Sequence, residues 1–110
     1  MSCLFCQIAR HQQKADVVYE NEELIVFKDI NPKALVHLLI VPKKHIKSIN
    51  ELVEKDKDLV SQIIFLAKEL AEKQGIAERG YRLIFNVGRG GGQLIDHLHL
   101  HLMGGGEIKS

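Results

Sequence analysis

The chain has 110 residues, of which 45% are hydrophobic and 26% are charged, a composition typical of a folded globular protein and not of a disordered one. Lys and Arg number 15 against 14 Asp and Glu, so the net charge is +1 and the basic excess of a general nucleic-acid-binding protein is missing. No apolar run approaches the roughly 18 residues that span a bilayer, and the N-terminal residues do not resemble a secretory signal. We therefore expect one cytoplasmic domain over residues 1–110, with neither nucleic acid nor a membrane as partner.

The first part of the chain predicts a short helix followed by three strands. Residues 3–10 have a short amphipathic pattern, and residues 16–20 and 24–30 are strand-like runs separated by a turn. Residues 35–41 (LVHLLIV) are almost continuously apolar, as in a buried strand, and His37 is the one polar residue among them.

The second part of the chain predicts one long helix and two more strands. Apolar residues recur at steps of three and four between residues 56 and 74, which places them on one face of a helix. Strands are indicated at residues 81–87 and 95–103, with a glycine-rich turn at residues 88–92 between them. This order of elements favours an α+β domain with a mainly antiparallel sheet.

The segment DHLHLHL at residues 96–102 is the most informative about chemistry. In a strand, His97, His99 and His101 would point to one face and the leucines between them to the core. Two such imidazoles can share a zinc ion, but His97 and His101 would lie about 13 Å apart, too far for one ion to bind all three. Alternatively, one imidazole attacks phosphorus or an acyl carbon while its neighbours fix its tautomer and move a proton.

The loop before the histidine segment favours nucleophilic catalysis on an anionic substrate. Its sequence is NVGRGGGQ (residues 86–93), in which the glycines let backbone N–H groups face an anion, and Asn86 and Gln93 add side-chain amides. The loop lacks the Gly-Lys-Ser/Thr of a P-loop, and a glycine-rich hairpin is often only a turn. Its position next to the histidines is what indicates an anion site.

These residues resemble the histidine triad family. The segment HLHLHLM at residues 97–103 has the alternating histidine signature of that family, and the similarity to its Hint branch extends over residues 3–104. The matching blocks are CLFCQI at 3–8, FKDINP at 27–32, HLLIVPKKH at 37–45, GYR at 80–82, Asn86 and GGQ at 91–93.

The resemblance implies a five-stranded antiparallel sheet with one long and one short helix, and a homodimer in which two sheets join into one of ten strands. It also implies binding of purine mononucleotides and hydrolysis of adenosine 5′-phosphoramidates, which releases AMP and an amine. No cofactor is required for that reaction. His99 matches the nucleophile that forms a nucleotidyl-histidine intermediate, His101 the residue at the α-phosphate, and His37 the histidine that orients the nucleophile's ring.

The resemblance assigns a nucleotide pocket as well. Asn86, Gln93 and the Gly92 backbone match the phosphate cradle, and Asp29 matches the carboxylate that binds the ribose hydroxyls. Judged from the residues alone, Asp29 could equally be a turn carboxylate. The apolar residues that match the base pocket could equally be core; they are Phe5, Ile8, Phe27 and Ile30.

Cys3 and Cys6 have the CxxC spacing of a zinc site. By resemblance to galactose-1-phosphate uridylyltransferase, a distant relative, His45 and His97 would complete the ligand set. We therefore expect a structural zinc ion that holds the N-terminal segment beside the active site. The alternative is a pair of free thiols and a surface His45.

Two departures from the Hint branch bear on activity. Leu94 follows Gln93 where the branch commonly has a serine near the leaving group, and Asp96 stands where aromatic residues or proline are frequent. Leu94 gives some weight to a nucleotide-binding or scaffold protein with vestigial catalysis. A zinc hydrolase that uses the histidine strand is a second alternative, although no acidic ligand with recognisable spacing supports it.

Overall fold

The structure, a computed structural model, describes residues 3–106. Each strand pairs antiparallel with its neighbours in a five-stranded sheet of spatial order β1-β2-β3-β5-β4. The strands are β1 (Val17–Glu20), β2 (Leu24–Lys28), β3 (Val36–Pro42), β4 (Tyr81–Ile84) and β5 (Leu100–Gly104), and the helices are α1 (Leu4–Ala9) and α2 (Lys57–Lys73). The predicted α+β class, the antiparallel sheet and the short and long helices are confirmed. No helix within residues 3–106 is long and apolar enough to cross a membrane.

Helix α2 covers one face of the sheet. Its buried side chains recur at helical spacing, as the sequence pattern predicts, and they meet leucines and isoleucines from β2, β3 and β5. Fully burying one such side chain contributes about 2–3 kcal/mol, so this face provides much of the stability. The helical contacts are made by Leu59, Ile63, Leu66, Ala67, Leu70 and Ala71.

Helix α1 lies on the opposite face. Its first turn is capped by Cys3, whose Sγ accepts the backbone N–H of Cys6 at 3.2 Å. Phe5 and Ile8 then pack into a second apolar cluster, against inward-facing residues of β2 and β3. The helix therefore joins the two cysteines to the sheet face that also carries the histidines.

Strand β5 begins five residues later than predicted, at Leu100 instead of residue 95. The register pairs Ile40 with Leu100, so continued pairing would place Val41 opposite His99 and then Pro42 opposite Leu98. Proline has no N–H to donate, and the Pro42 carbonyl accepts from the His97 ring at 2.7 Å instead. The Leu98 N–H in turn donates to the carbonyl of Ile46 at 2.7 Å, so residues 95–99 lie outside the ladder.

The other boundaries differ from prediction by at most three residues. Strand β4 ends at Ile84 instead of residue 87, and β2 ends at Lys28 because the chain turns at Asp29. Three one-turn 3-10 helices were not predicted, and they lie at Ile49–Glu51, Glu54–Asp56 and Arg89–Gly91.

Candidate active site

Three histidine rings form a row on the α1 face of the sheet. The His99 and His101 ring centroids lie 4.9 Å apart, and the Phe5 ring contacts both His97 and His99 edge-on, at 6.0 and 5.1 Å. The leucines between the histidines lie in the core under α2, as predicted. The alternation of side chains therefore continues through residues 97–99, although those residues are not paired in the sheet.

A chain of hydrogen bonds determines which nitrogens of His37 and His101 carry protons. The backbone N–H of Lys33 donates to His37 Nδ1 at 3.0 Å, so the His37 proton resides on Nε2. His37 Nε2 then donates to His101 Nδ1 at 3.0 Å, which leaves the His101 proton on Nε2. Burial first, and then the charges of neighbouring groups, lower the pKa of His101 to about 4, so both rings are neutral at pH 7.

His99 has the opposite tautomer. Its Nδ1–H donates to the backbone carbonyl of His97 at 2.7 Å, so Nε2 carries the lone pair. Burial also lowers the pKa of His99, which keeps that nitrogen unprotonated at neutral pH. A neutral imidazole with a fixed tautomer and a free Nε2 is the form that nucleophilic attack requires.

The Asp29 carboxylate takes part in a turn and also faces the histidines, and its expected contact with ribose stays a prediction. One carboxylate oxygen accepts the backbone N–H of Asn31 at 2.8 Å, as in a turn, and the other lies 3.4 Å from His37 Nε2. The carboxylate is partly exposed beside the histidine row, so one oxygen remains near the pair of rings.

The glycine-rich loop is held in shape by its two amide side chains. Asn86 Nδ2 donates to the Gly91 carbonyl at 2.8 Å, beside Gly92, whose φ of 84° is a left-handed conformation that favours glycine. Gln93 is 2% exposed, and its amide accepts from Gly88 N–H and donates to the carbonyls of Lys47 and Ile95. Since these bonds use its side-chain oxygen and both N–H groups, Gln93 supports the loop from within.

Two exposed side chains on the loop, Arg89 and Leu94, differ in their contacts. Arg89 forms an ion pair with Asp96 at 3.0 Å across the loop. Leu94 is 81% exposed, an unusual position for a large apolar side chain.

The residues expected to form a base pocket divide into two groups. Phe5, Ile8 and Phe27 are buried in the cluster under α1, with the two phenyl rings in an edge-on contact at 5.3 Å. Ile30 is 87% exposed in the loop after β2. The structure thus places three of them mainly in the core and one where a planar ring could pack against it.

The two cysteines and two histidines predicted as metal ligands converge on one point. His97 Nδ1 lies 3.2 Å from Cys3 Sγ and 3.5 Å from Cys6 Sγ. His45 Nδ1 lies 3.2 Å from Cys6 Sγ, 3.5 Å from Cys3 Sγ and 3.2 Å from His97 Nδ1. Tetrahedral zinc, with bonds of about 2.3 Å to sulfur and 2.0–2.1 Å to nitrogen, needs ligand separations of about 3.3–3.8 Å, so the donors fit this metal.

The chemistry of the cluster also suits a divalent cation. Burial, and then the neighbouring Cys3, raise the pKa of the Cys6 thiol, so its thiolate form requires a positive charge beside it, which a metal ion would supply. Burial lowers the pKa of His97 and keeps that ring neutral, as a metal ligand must be. Two thiolates and two neutral imidazoles would balance the charge of Zn²⁺. The bond from His97 Nε2 to the Pro42 carbonyl directs Nδ1 toward the cluster, as an outer partner of a metal ligand does.

Sequence reasoning missed two backbone contributors to the site. The Lys33 N–H sets the tautomer of His37, and the Pro42 carbonyl sets that of His97. Neither has a sequence signal of its own, because every residue except proline carries an N–H and every residue carries a carbonyl.

Comparisons with known proteins agree with this geometry. A family model described as "Scavenger mRNA decapping enzyme C-term binding" matches residues 2–108. The chain is 40% identical over 103 residues to protein HitA of Neisseria gonorrhoeae, covering 94% of this chain and 95% of that protein. It is 40% identical over 102 residues to the purine nucleoside phosphoramidase of Escherichia coli K12, covering 93% of this chain and 86% of that protein. A HIT family hydrolase from Legionella pneumophila matches with 50% identity and a TM-score of 0.94, over 96% of this chain and 95% of that one.

A five-stranded antiparallel sheet with a row of neutral imidazoles beside a glycine-rich loop defines a protein of the histidine triad class. The match to the family model and the identity to the relatives establish family membership. This chain belongs to the histidine triad family.

Proposed function

We propose that this protein is a hydrolase of the Hint type, a purine nucleoside phosphoramidase that cleaves the P–N bond of adenosine 5′-phosphoramidates and releases AMP and an amine. The observation that carries the proposal is the tautomer of His99, whose Nδ1–H is held by the His97 carbonyl while Nε2 is free. The similarity of this chain to the E. coli enzyme named purine nucleoside phosphoramidase supports the choice of substrate.

In the first step of the proposed reaction, His99 Nε2 attacks the α-phosphorus and the bond to the amine nitrogen breaks. The ring then carries a positive charge, which the hydrogen bond from Nδ1–H to the His97 carbonyl stabilises. The negative charge of bound substrate would raise the pKa of the hydrogen-bonded His37–His101 pair, so that the pair takes up one proton from solvent and His101 Nε2 transfers one to the departing amine, which leaves the pair neutral.

In the second step, water attacks the nucleotidyl-histidine and the His99 ring leaves as a neutral group. A water proton passes to His101 Nε2, which restores the singly charged His37–His101 pair, and the pair returns its extra proton to solvent when AMP leaves. The phosphate oxygens are assigned to the loop at residues 88–93, where the Gly92 N–H donates to the Arg89 carbonyl at 3.0 Å and would exchange that bond for phosphate. Stabilisation of the phosphate oxygens is usually a large contribution to catalysis. The ribose is assigned to Asp29, and the base to the apolar residues Phe5, Ile8, Phe27 and Ile30.

We propose a structural zinc ion at Cys3, Cys6, His45 and His97, with no cofactor needed for the chemistry. When bound, the ion would cross-link α1 to the histidine segment. A cytoplasmic location is part of this proposal, because a reducing compartment keeps both thiols available.

We also propose a homodimer formed through the edge of strand β4. In the described chain, β4 has a neighbour on one side only, and Leu83 on it is 37% exposed. Phe65 on α2 is 63% exposed, an unusual exposure for a phenyl ring. Pairing two β4 strands would give a ten-stranded sheet, and sedimentation velocity would measure the dimer directly.

The experiment that tests the function is AMP release from an adenosine 5′-phosphoramidate. We expect turnover by the wild type, none by His99→Ala, and unchanged turnover by His11→Ala, in which the lost imidazole pairs with Glu20 outside the site. Equal rates in wild type and His99→Ala would remove His99 from its role. AMP binding without turnover in the wild type would instead favour a nucleotide-binding protein. A rate of AMP release that is lost on metal removal, returns with zinc and depends on which metal is added would favour a zinc hydrolase.

A further inference from the structure

The two cysteines of the chain lie together at the start of helix α1. Cys3 caps the first turn and is partly exposed, whereas Cys6 is buried within that turn. The Cys3 Sγ accepts the backbone N–H of Cys6 at 3.2 Å, so the Cys3 side chain folds back over the turn. Both sulfurs also contact the same ring nitrogen of His45, at 3.5 and 3.2 Å. The two thiols are therefore neighbours, and one of them is open to small solutes.

A disulfide bond between these sulfurs requires only a local movement. The two Sγ atoms lie within 4.8 Å of each other. Side chains three residues apart on a helix have Cβ atoms about 5–6 Å apart, and a disulfide needs a Cβ separation of about 3.8 Å. Cys3 is a cap residue with extended backbone, at φ −75° and ψ 161°, so rotation at Cys3 can close the gap without unwinding the helix. The sequence has no third cysteine that could compete for either sulfur.

We propose that Cys3 and Cys6 form a redox modification site, at which hydrogen peroxide joins the two sulfurs in a reversible disulfide. In the first step the Cys3 thiol reduces the peroxide, the sulfur becomes a sulfenic acid, and one water leaves. The Cys6 sulfur then attacks the Cys3 sulfur, the S–O bond breaks, and a second water leaves. The two thiols lose two electrons in total, which the peroxide gains. A dithiol reductant reverses the reaction by thiol–disulfide exchange.

The disulfide and the proposed metal ion exclude each other. Zinc binds thiolates, and a disulfide leaves no thiolate at this site. Oxidation would remove two of the four proposed ligands and leave only His45 and His97, so the ion would be released. A bound ion would in turn occupy both thiolates and slow their oxidation. Only this consequence rests on the proposed metal site, because the disulfide can also form in the metal-free chain.

Oxidation would also disturb the proposed base pocket. Phe5 lies between the two cysteines on α1, and its buried ring contacts Phe27 at 5.3 Å and His99 at 5.1 Å, both edge-on. Because a disulfide draws the helix cap toward Cys6, the turn that carries Phe5 must shift against these rings. We therefore expect the oxidised protein to bind AMP more weakly than the reduced protein.

Titration of the zinc-loaded protein with hydrogen peroxide tests the proposal. We expect both thiols to disappear together, with a loss of about 2 Da in the intact mass. One zinc ion per chain should be released in parallel, as measured with a chromogenic chelator. Isothermal titration calorimetry should show a several-fold rise in the Kd for AMP. Dithiothreitol and added zinc should reverse all of these changes.

Three variants separate the roles of the thiols and the metal. His45→Ala keeps both thiols and loses one proposed ligand, so in the presence of zinc it should oxidise as fast as the metal-free wild type. Cys6→Ser keeps one thiol, and its mass should rise by added oxygen instead of falling. His11→Ala, which removes a histidine that pairs with Glu20 outside the cluster, should behave as the wild type in every measurement.

Different results would overturn each part of the proposal. Conversion of both thiols to sulfinic acids, a gain of about 32 Da each without a disulfide, would reject the modification site. Zinc that stays bound after the disulfide has formed would show that the sulfurs are not its ligands. An unchanged Kd for AMP in the oxidised protein would remove the effect on the pocket. If the reduced protein binds neither zinc nor AMP, the proposed metal site and function fail, and the mass change still decides whether the disulfide forms.

Discussion

The two faces of the sheet are built for different purposes. Under α2, every buried residue of the core cluster is Leu, Ile, Val or Ala. On the α1 face, buried histidines lie beside a smaller apolar cluster, together with Asp29 from the turn after β2 and the two cysteines of helix α1 and its cap. Strand β5 contributes to both, with Leu100 and Leu102 on one side and His101 on the other. Because side chains alternate along a strand, one segment can supply stability and chemistry at once.

This division predicts which property a substitution on each face should change. A change under α2 should alter the free energy of unfolding and leave the chemistry of folded molecules intact. A change on the α1 face should alter turnover, metal binding or proton uptake. Substitutions on each face can therefore show whether stability and chemistry separate in this way.

The largest effect is expected on the α1 face. His99→Ala should lower kcat by at least about 10⁴-fold, the scale for removal of a nucleophile, because no other described imidazole has its Nε2 free in the same position. Thermal unfolding should change little, since the substitution removes no contact under α2. A variant that keeps measurable turnover above this limit would contradict the assignment.

The next effect is expected under α2. Ile63 is fully buried, so Ile63→Ala should lower the free energy of unfolding by about 3 kcal/mol through lost burial and a residual cavity. Its neighbour Ile64 is 40% exposed, and Ile64→Ala should cost less than about 1 kcal/mol. Urea denaturation measures both. A fall in kcat of fully folded Ile63→Ala, with stability unchanged, would mean that the two faces are not separate.

Metal removal should destabilise the α1 face. A ligand that binds only the folded state stabilises it by about 2.7 kcal/mol at 100 times its Kd, so chelation of a zinc-loaded protein should lower Tm by several degrees. Cys3→Ser should show a low Tm with or without chelator. Metal analysis of wild type purified without chelator provides the check, and no stoichiometric zinc there would reject the site.

Acidification should also act through the α1 face. Burial lowers the pKa values of His37, His97, His99 and His101 in the folded protein, to about 4 for His101. The unfolded chain, with histidine pKa values of about 6.5, therefore binds more protons below that pH, and stability is lost as pH falls from about 6.5 toward 4.

The pH dependence can be assigned to one residue by thermal unfolding. In His101→Asn, Tm should fall less between pH 7 and pH 4.5 than in the wild type at the same metal loading. Parallel curves for the two proteins would show that His101 does not carry this effect.

The smallest effect is expected at Leu94. Its side chain is 81% exposed beside the loop, so Leu94→Ser should leave Tm within about 1 °C. A hydroxyl there would add a hydrogen-bond donor near the departing amine, and we expect kcat to rise a few-fold. Leu94→Ala, which removes the apolar side chain without adding a hydroxyl, is the matched control, and an equal gain in both would assign the effect to size.

The sequence pattern was sufficient for the helices, the strands and the sides on which their residues lie. The pattern predicted too early a start for the last strand. The His97 ring bonds to the Pro42 carbonyl and the Leu98 N–H to the Ile46 carbonyl, and these contacts between distant parts of the chain have no sequence signal. The sequence pattern could not predict that the Gln93 side chain bonds to the protein backbone, since an amide can bind an anion or the backbone equally well.

The predicted metal-ligand set shows what the family resemblance added to the information in the residues alone. Cys3 and Cys6 form a recognisable pair, but His45 and His97 are 39 or more residues away from them in the chain. Spacing alone could not select these two from the six histidines of the sequence. The fold brings them together because the end of β3 and the segment before β5 meet at Pro42.

The central claim is that His99 forms a covalent bond to the nucleotide. Rapid acid-free quenching of the wild type during turnover of an adenosine 5′-phosphoramidate, followed by proteolysis and mass spectrometry, tests it most directly. We predict an adenylyl adduct on the peptide that contains residues 97–103, localised by fragmentation to His99 and absent from His99→Ala. Turnover with an adduct on His101, or adenylylation that persists in His99→Ala, would contradict the account.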